Sequence, residues 1–212
     1  MFSRRGKTSL PSTGNSMIVS SNPKPLKVER LRLATVATIV PYFGGVITNK
    51  DNILQDNGSF TFVEILSSPP VGPSDHLMLT GFEFGVPLDA TILGVEIYFR
   101  ANGDVEPSWL TFQLVHGGAF LGAPYQINVE EGPLRIFRFG GRRFTWNAVI
   151  TPAIVNDSTF GLWMYDIMIS GQAAEIWAFD YLYMGVIYEV GACPRYAGRL
   201  MERPGGLSDK GI

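Results

Sequence analysis

Four carboxylates late in the chain, Asp157, Asp166, Glu175 and Asp180, are of the type that could hydrolyse a glycosidic bond. That reaction needs two carboxyl groups at a fixed separation across the bond. No shared motif fixes such a separation here. Asp166 has the strand parity of Phe160, Leu162, Met164 and Met168, so partial burial beside an arginine is expected of it. Asp180 falls with Ile176, Ala178 and Leu182, where a carboxylate is expected to anchor a loop. No catalytic residue is assigned, and the chain is read as non-enzymatic.

The other candidate chemistries are equally thin. Asp51, Asn52, Asp56, Asn57 and Gly58 offer oxygen ligands but lack a terminal acidic ligand at EF-hand distance, so a hydrogen-bonded turn is expected. The two histidines, His76 and His116, form neither a zinc-binding pair nor part of a triad, and His116 is expected at a strand end just before Gly117-Gly118. Cys193 is the single cysteine, so it has no thiol partner within the chain. No metal and no cofactor are expected.

Charge is distributed unevenly. Residues 1–33 hold Arg4, Arg5, Lys7, Lys24, Lys27, Arg30 and Arg32 against Glu29 alone, whereas residues 34–190 hold 16 acidic against 6 basic residues. Such a basic segment can lie on an acidic protein neighbour or equally stay solvated; nucleic acid is disfavoured, because Phe2 is its one aromatic residue. Arg135, Arg138, Arg142 and Arg143, interleaved with Ile136, Phe137, Phe139 and Phe144, form a second basic cluster. The partner-binding candidates are therefore Arg4, Arg5, Lys7, Lys24, Lys27, Arg30, Arg32, Arg142 and Arg143.

The elements that must position these side chains are strands. Gly and Pro together supply 38 of 212 residues and interrupt every window long enough for a sustained helix. Apolar and aromatic alternation marks strands at 33–40, 60–66, 77–84, 90–100, 109–115, 135–139, 160–169 and 176–188. In the fourth of these, Leu93, Val95, Ile97 and Phe99 share one face while Glu96, Tyr98 and Arg100 share the other. A short helical turn is expected near Thr151–Asp157, with Thr151 as N-cap and Pro152 in its first turn. Gly117-Gly118 and Gly140-Gly141 both read as hairpin turns, and Gly161 as a seat for a flat aromatic ring.

The expected architecture is all-β: a two-sheet antiparallel sandwich of jelly-roll type over 34–190, an extended basic arm over 1–33 and a tail over 191–212. The basic start is followed by polar residues with Pro11 and Gly14, so no secretion signal is expected, and 33–40 is too short to span a membrane.

The run FGVPLDATILGVEIYFR (84–100), then Phe139-Gly140-Gly141, Trp146, TPAIVNDSTFG (151–161) and AFDYLYMGVIY (178–188) resembles a recurrent β-sandwich module of tailed-bacteriophage virion structural proteins. Two departures stand out: Asn147 follows Trp146, and Ile154-Val155 replaces an acidic residue and Ile. The resemblance implies a virion protein made in the host cytoplasm, a capsid cement or decoration subunit whose arms bind the major capsid protein or other virion proteins. It further implies a homo-oligomer, a trimer by analogy with sandwich subunits packed around threefold axes. The alternative is a neck, tail or fibre component, or a carbohydrate-binding receptor-recognition module using Trp109, Trp163 or Trp177.

Overall fold

The structure, a computed structural model, describes residues 26–42, 45–65, 74–102, 108–129, 132–169 and 176–191. Eleven strands among them form two antiparallel sheets. In chain order they are β1 (Leu26–Leu33), β2 (Val36–Val40), β3 (Gly45–Thr48), β4 (Thr61–Ile65), β5 (His76–Thr80), β6 (Thr91–Asn102), β7 (Ser108–His116), β8 (Ala119–Val129), β9 (Arg135–Gly140), β10 (Gly161–Ile169) and β11 (Ile176–Val190).

One sheet runs β3-β4-β11-β6-β9, with β1 added along the later part of β11; the other runs β2-β5-β10-β7-β8. From β4 onward the chain passes repeatedly between the sheets, which is the winding of a jelly roll. The core lies between the layers, where Val95, Ile97 and Phe99 of β6 meet Leu110, Phe112 and Leu114 of β7, all fully buried. Phe99 contacts Phe112 across the layers at 5.4 Å between ring centroids. Trp146 closes one end, packed edge to face against Tyr125, Phe139 and Phe144, with its indole N–H donating to the Val95 carbonyl at 3.2 Å.

Several expectations are met at residue level. Helix α1 (Pro152–Asn156) starts at Thr151, whose side chain accepts from the Ile154 amide at 3.3 Å. Gly117 and Gly118, both at positive φ, form the turn between β7 and β8. The Asn156 side chain bonds both the amide and the carbonyl of Val86 at 2.7 Å, so the helical turn is tied to the segment before β6.

Other expectations are corrected. The segment read as one strand over 33–40 changes sheets: Ala34-Thr35 lies between β1 and β2, held by Thr35 bonds to the Thr80 and Gly81 carbonyls at 3.0 Å. Gly140-Gly141 is no hairpin. The chain beyond β9 folds back along β6, where Arg143 donates to the Leu93 carbonyl and Val95 to that of Phe144. Gly161 seats no ring either; a Cβ there would overlap the Leu79 carbonyl, so glycine permits the close approach of β5.

Candidate functional site

Strand parity turns half of each strand of the β2-β5-β10-β7-β8 sheet away from the core. With Leu77 and Leu79 inward, His76 and Met78 point out; with Leu162 and Met164 inward, Trp163 and Tyr165 point out; with Leu110, Phe112 and Leu114 inward, Trp109, Thr111 and Gln113 point out. The register places Trp163 beside Gln113 and Tyr165 beside Thr111. These residues come from separate strands, yet they form one continuous strip.

The strip is aromatic and ordered. Tyr42 stacks on His76 at 4.8 Å, and His76 lies 5.9 Å from Trp163 and 5.7 Å from Tyr165. Phe120 follows at 5.3 Å from Trp163 and 6.2 Å from Tyr165. The floor consists of Thr111 and Gln113, 6 and 7 % exposed, while Tyr42 and Phe120 rise at the ends with 50 and 58 % exposure. Gln113 is fixed at both ends of its amide: Nε2 donates to the Gly122 carbonyl at 2.8 Å, and Oε1 accepts from the Tyr165 hydroxyl at 3.3 Å. The Trp163 indole N–H is buried and meets no acceptor among the described residues.

The opposite outer face carries the buried charge. Glu96 on β6 is fully buried, accepting from the Tyr98 hydroxyl at 2.7 Å and from Arg138 Nε and Nη2 at 3.2 and 2.8 Å. Glu29 of β1 lies against the same carboxylate. Burial alone would push Glu96 up, but the donors from Tyr98, Arg138 and Glu29 outweigh it and hold its carboxyl below the usual carboxylate range. The bond to Glu96, then burial, pushes Glu29 the other way. The Tyr98 hydroxyl is raised by burial and by its bond to Glu96.

The residues singled out from sequence do not converge. Asp180 is buried and anchors a loop as expected, accepting from the Gly58 amide at 3.0 Å and from Arg100 at 2.9 Å. Asp157 caps Thr159, accepting from its amide and hydroxyl at 2.7 and 2.6 Å, and stands 3.8 Å from His116. Asp166 lies on β10, and Glu175 is outside the described residues. Asn52 and Asn57 close local turns, and among the described residues no group of three or more His, Cys, Asp or Glu side chains is placed to hold a metal ion.

Of the basic candidates, Arg4, Arg5, Lys7 and Lys24 lie outside the described residues. Arg30 donates to the Phe84 and Gly85 carbonyls at 2.9 Å, with its guanidinium 5.9 Å from the Tyr188 ring. Lys27 and Arg32 are exposed on β1, and Arg142 and Arg143 are exposed after β9. Trp109 and Trp163 share the strip's sheet, whereas Trp177 belongs to β11 in the other. His76, Tyr165, Phe120, Tyr42 and Gln113 are the strip members that the sequence reading missed.

The class of protein these observations define is a two-sheet antiparallel β-sandwich of jelly-roll type. No protein-family model matches the sequence, and no curated protein matches it. Among solved structures, one titled BiXyn10A CBM1 is similar at 7 % identity over 75 % of this chain and 95 % of that one, with a TM-score of 0.42. A CBM4 carbohydrate-binding module is similar at 10 % identity over 61 and 85 % of the two chains, TM-score 0.38. The enzymatically active domain of tailspike protein 4 from bacteriophage CBA120 is similar at 9 % identity over 78 % of this chain and 19 % of that one, TM-score 0.41.

Proposed function

We propose that this chain is a non-catalytic carbohydrate-recognition module, and that its ligand lies across the strip from Tyr42 to Phe120. The observation that carries the reading is the strip itself. Aromatic side chains stand in one line on a sheet face that packing does not require them to occupy, over a floor whose amide is held in place by Tyr165.

A sugar ring presents apolar C–H faces rimmed by hydroxyl groups. Ring faces accept the former, and polar groups along the strip such as the Tyr42 and Tyr165 hydroxyls meet the latter. Rings already packed against one another lower the entropic cost of binding. The capsid-cement reading needs the basic arm to grip a neighbour, whereas Arg30 of that arm is bonded within the sandwich. The recognition reading therefore leads, in a neck, tail or fibre setting as readily as elsewhere.

A glycan array followed by calorimetry tests it. Saturable binding to a defined glycan is expected, with Trp163→Ala weakening it by about tenfold or more, as loss of a central aromatic anchor does. Tyr181→Ala, on the other sheet, should leave affinity unchanged. Absence of binding across the array, or equal affinity for Trp163→Ala, would overturn the proposal.

A further inference from the structure

Strand parity puts Val28, Arg30 and Arg32 of β1 on one side of their sheet and Glu29 and Leu31 on the other. Val28 packs against the core, so Arg30 and Arg32 are turned toward the second layer. There they meet the segment between β5 and β6, where Arg30 Nη1 donates to the Phe84 and Gly85 carbonyls at 2.9 Å. Arg32, two residues further on, borders a cleft of about 380 Å³ whose lining is completed by Leu33, Thr35, Gly81, Phe82 and Glu83. The cleft lies at the end of the β2-β5 pair opposite to Tyr42 and His76, and is thus separate from the aromatic strip.

One wall of the cleft has an uncommon backbone. Gly81, Glu83 and Gly85 stand at φ 73, 48 and 61°, so every second residue is left-handed. Phe82 and Phe84 between them are buried, with their rings stacked at 5.8 Å, and the Gly81 amide donates to the Ser158 carbonyl at 3.0 Å. Glycine enters that region freely, whereas a residue with a Cβ is strained in it. Position 83 nevertheless carries a glutamate. Among the described residues neither its carboxylate nor the Arg32 guanidinium makes a hydrogen bond or ion pair, although both residues are exposed and border the same cleft. Strain held at an exposed charge that serves no contact of the fold leads to a binding role.

We propose that this cleft binds a small zwitterion of the class of free amino acids, with its carboxylate on Arg32 and its ammonium group on Glu83. Arg32 offers paired N–H donors in the planar geometry a carboxylate accepts, and Glu83 offers acceptors alone, so the ligand group facing it must donate. An anion without a cation would face Glu83 as a like charge, and a cation without an anion would face Arg32 so; a zwitterion meets each with its opposite. The volume suits a small molecule, being near the lower end of the range of about 300–1,000 Å³ for ligand pockets. The Phe82 ring is stacked inward on Phe84, so the cleft offers no aromatic face, and Thr35 Oγ1 is fixed by donating to the Gly81 carbonyl at 3.0 Å. The site stands independently of the carbohydrate reading.

Calorimetric titration of the full chain with glycine, β-alanine, γ-aminobutyrate and ε-aminocaproate tests it, the series varying the separation of the two charges. Saturable binding is expected for at least one of them, with its N-acetyl and amide derivatives weaker by about tenfold or more, as loss of one charge-assisted contact implies. Arg32→Gln and Glu83→Gln should each weaken binding to the same degree and leave the melting temperature unchanged. Glu83→Gly, which relieves the backbone, should melt no lower than the wild type and still lose binding. Lys50→Gln, at a separate exposed ion pair, should bind as the wild type does. Absence of binding across the series, a derivative that binds as tightly as its parent, or full affinity in Arg32→Gln or Glu83→Gln would overturn the proposal. So would a melting temperature that falls in each of these two variants and no further in the double variant, since that result identifies a direct Arg32–Glu83 ion pair.

Discussion

Glu96 shows how one residue joins three strands. It sits on the outward face of β6, yet its carboxylate is fully buried, because Gly185 on the facing stretch of β11 leaves room for it. A Cβ on Gly185 would come within 2.8 Å of Leu31 Cδ2 and 2.9 Å of Glu96 Cγ. Arg138 from β9 and Glu29 from β1 thus reach the same carboxylate from opposite sides. Two carboxyl groups share a hydrogen bond only while one holds a proton, and Glu29, with its raised pKa, takes up that proton before Glu96 as pH falls.

The pH dependence follows in sign. Glu96, with its lowered pKa, contributes stability above the unfolded carboxylate range and loses it as pH falls through its folded value. Glu29, with its raised pKa, contributes below that range and loses it as pH rises through its folded value. The pair therefore stabilises most in mildly acid solution. Glu29→Gln supplies a permanent donor, so its melting temperature should exceed the wild type's at neutral pH, with the gap closing on acidification. Glu96→Gln should cost about 1–3 kcal/mol at neutral pH, the range for losing charge-assisted bonds at a buried acceptor. Thermal melts of the three proteins across acid to neutral pH check both; a Glu29→Gln gap that does not change with pH would remove the shared proton.

At the scale of elements, the contact between β5 and β10 depends on a missing side chain. A Cβ on Gly161 would run into the Leu79 carbonyl and the Thr80 methyl group, and a carbonyl in a sheet ladder cannot step aside as a flexible side chain can. Gly161→Ala should destabilise by about 1–3 kcal/mol, as overpacking in a core does, measured by urea unfolding. Because Trp163 and His76 are borne by these two strands, the variant should also weaken glycan binding. Unchanged stability would show that the two strands are free to separate.

Legibility from sequence follows the same physics. Strands β6, β7, β10 and β11 are plain in the chain because one face of each is apolar and the other mixed, and α1 because Thr151 and Pro152 mark its start. β8 is not, since Gly122 and Pro124 break its alternation, and an edge position tolerates both. β1 is hidden by its four charges, which an exposed edge admits without penalty. The strip was legible only in part. Parity alone turns Trp163 and Gln113 outward, but Tyr42, His76 and Phe120 become neighbours only through sheet order, which alternation does not encode.

At the scale of the whole molecule, charge and recognition are separable. Residues 1–25 carry four basic residues and no acidic one, while every strip residue from Tyr42 to Tyr165 belongs to the sandwich. Arg30, bonded to Phe84 and Gly85, and the full register of β1 on β11 anchor the segment that follows. A chain starting at Leu26 keeps every strip residue and should therefore bind glycan with equal affinity. Its association with an acidic protein surface should fall, and the part lost should be the salt-sensitive part, because the four removed charges act through screened attraction. Binding of both chains to a glycan and to an acidic protein surface at two salt concentrations checks the division. Loss of glycan affinity on truncation would mean that the arm takes part in recognition, and the strip would no longer account for it alone.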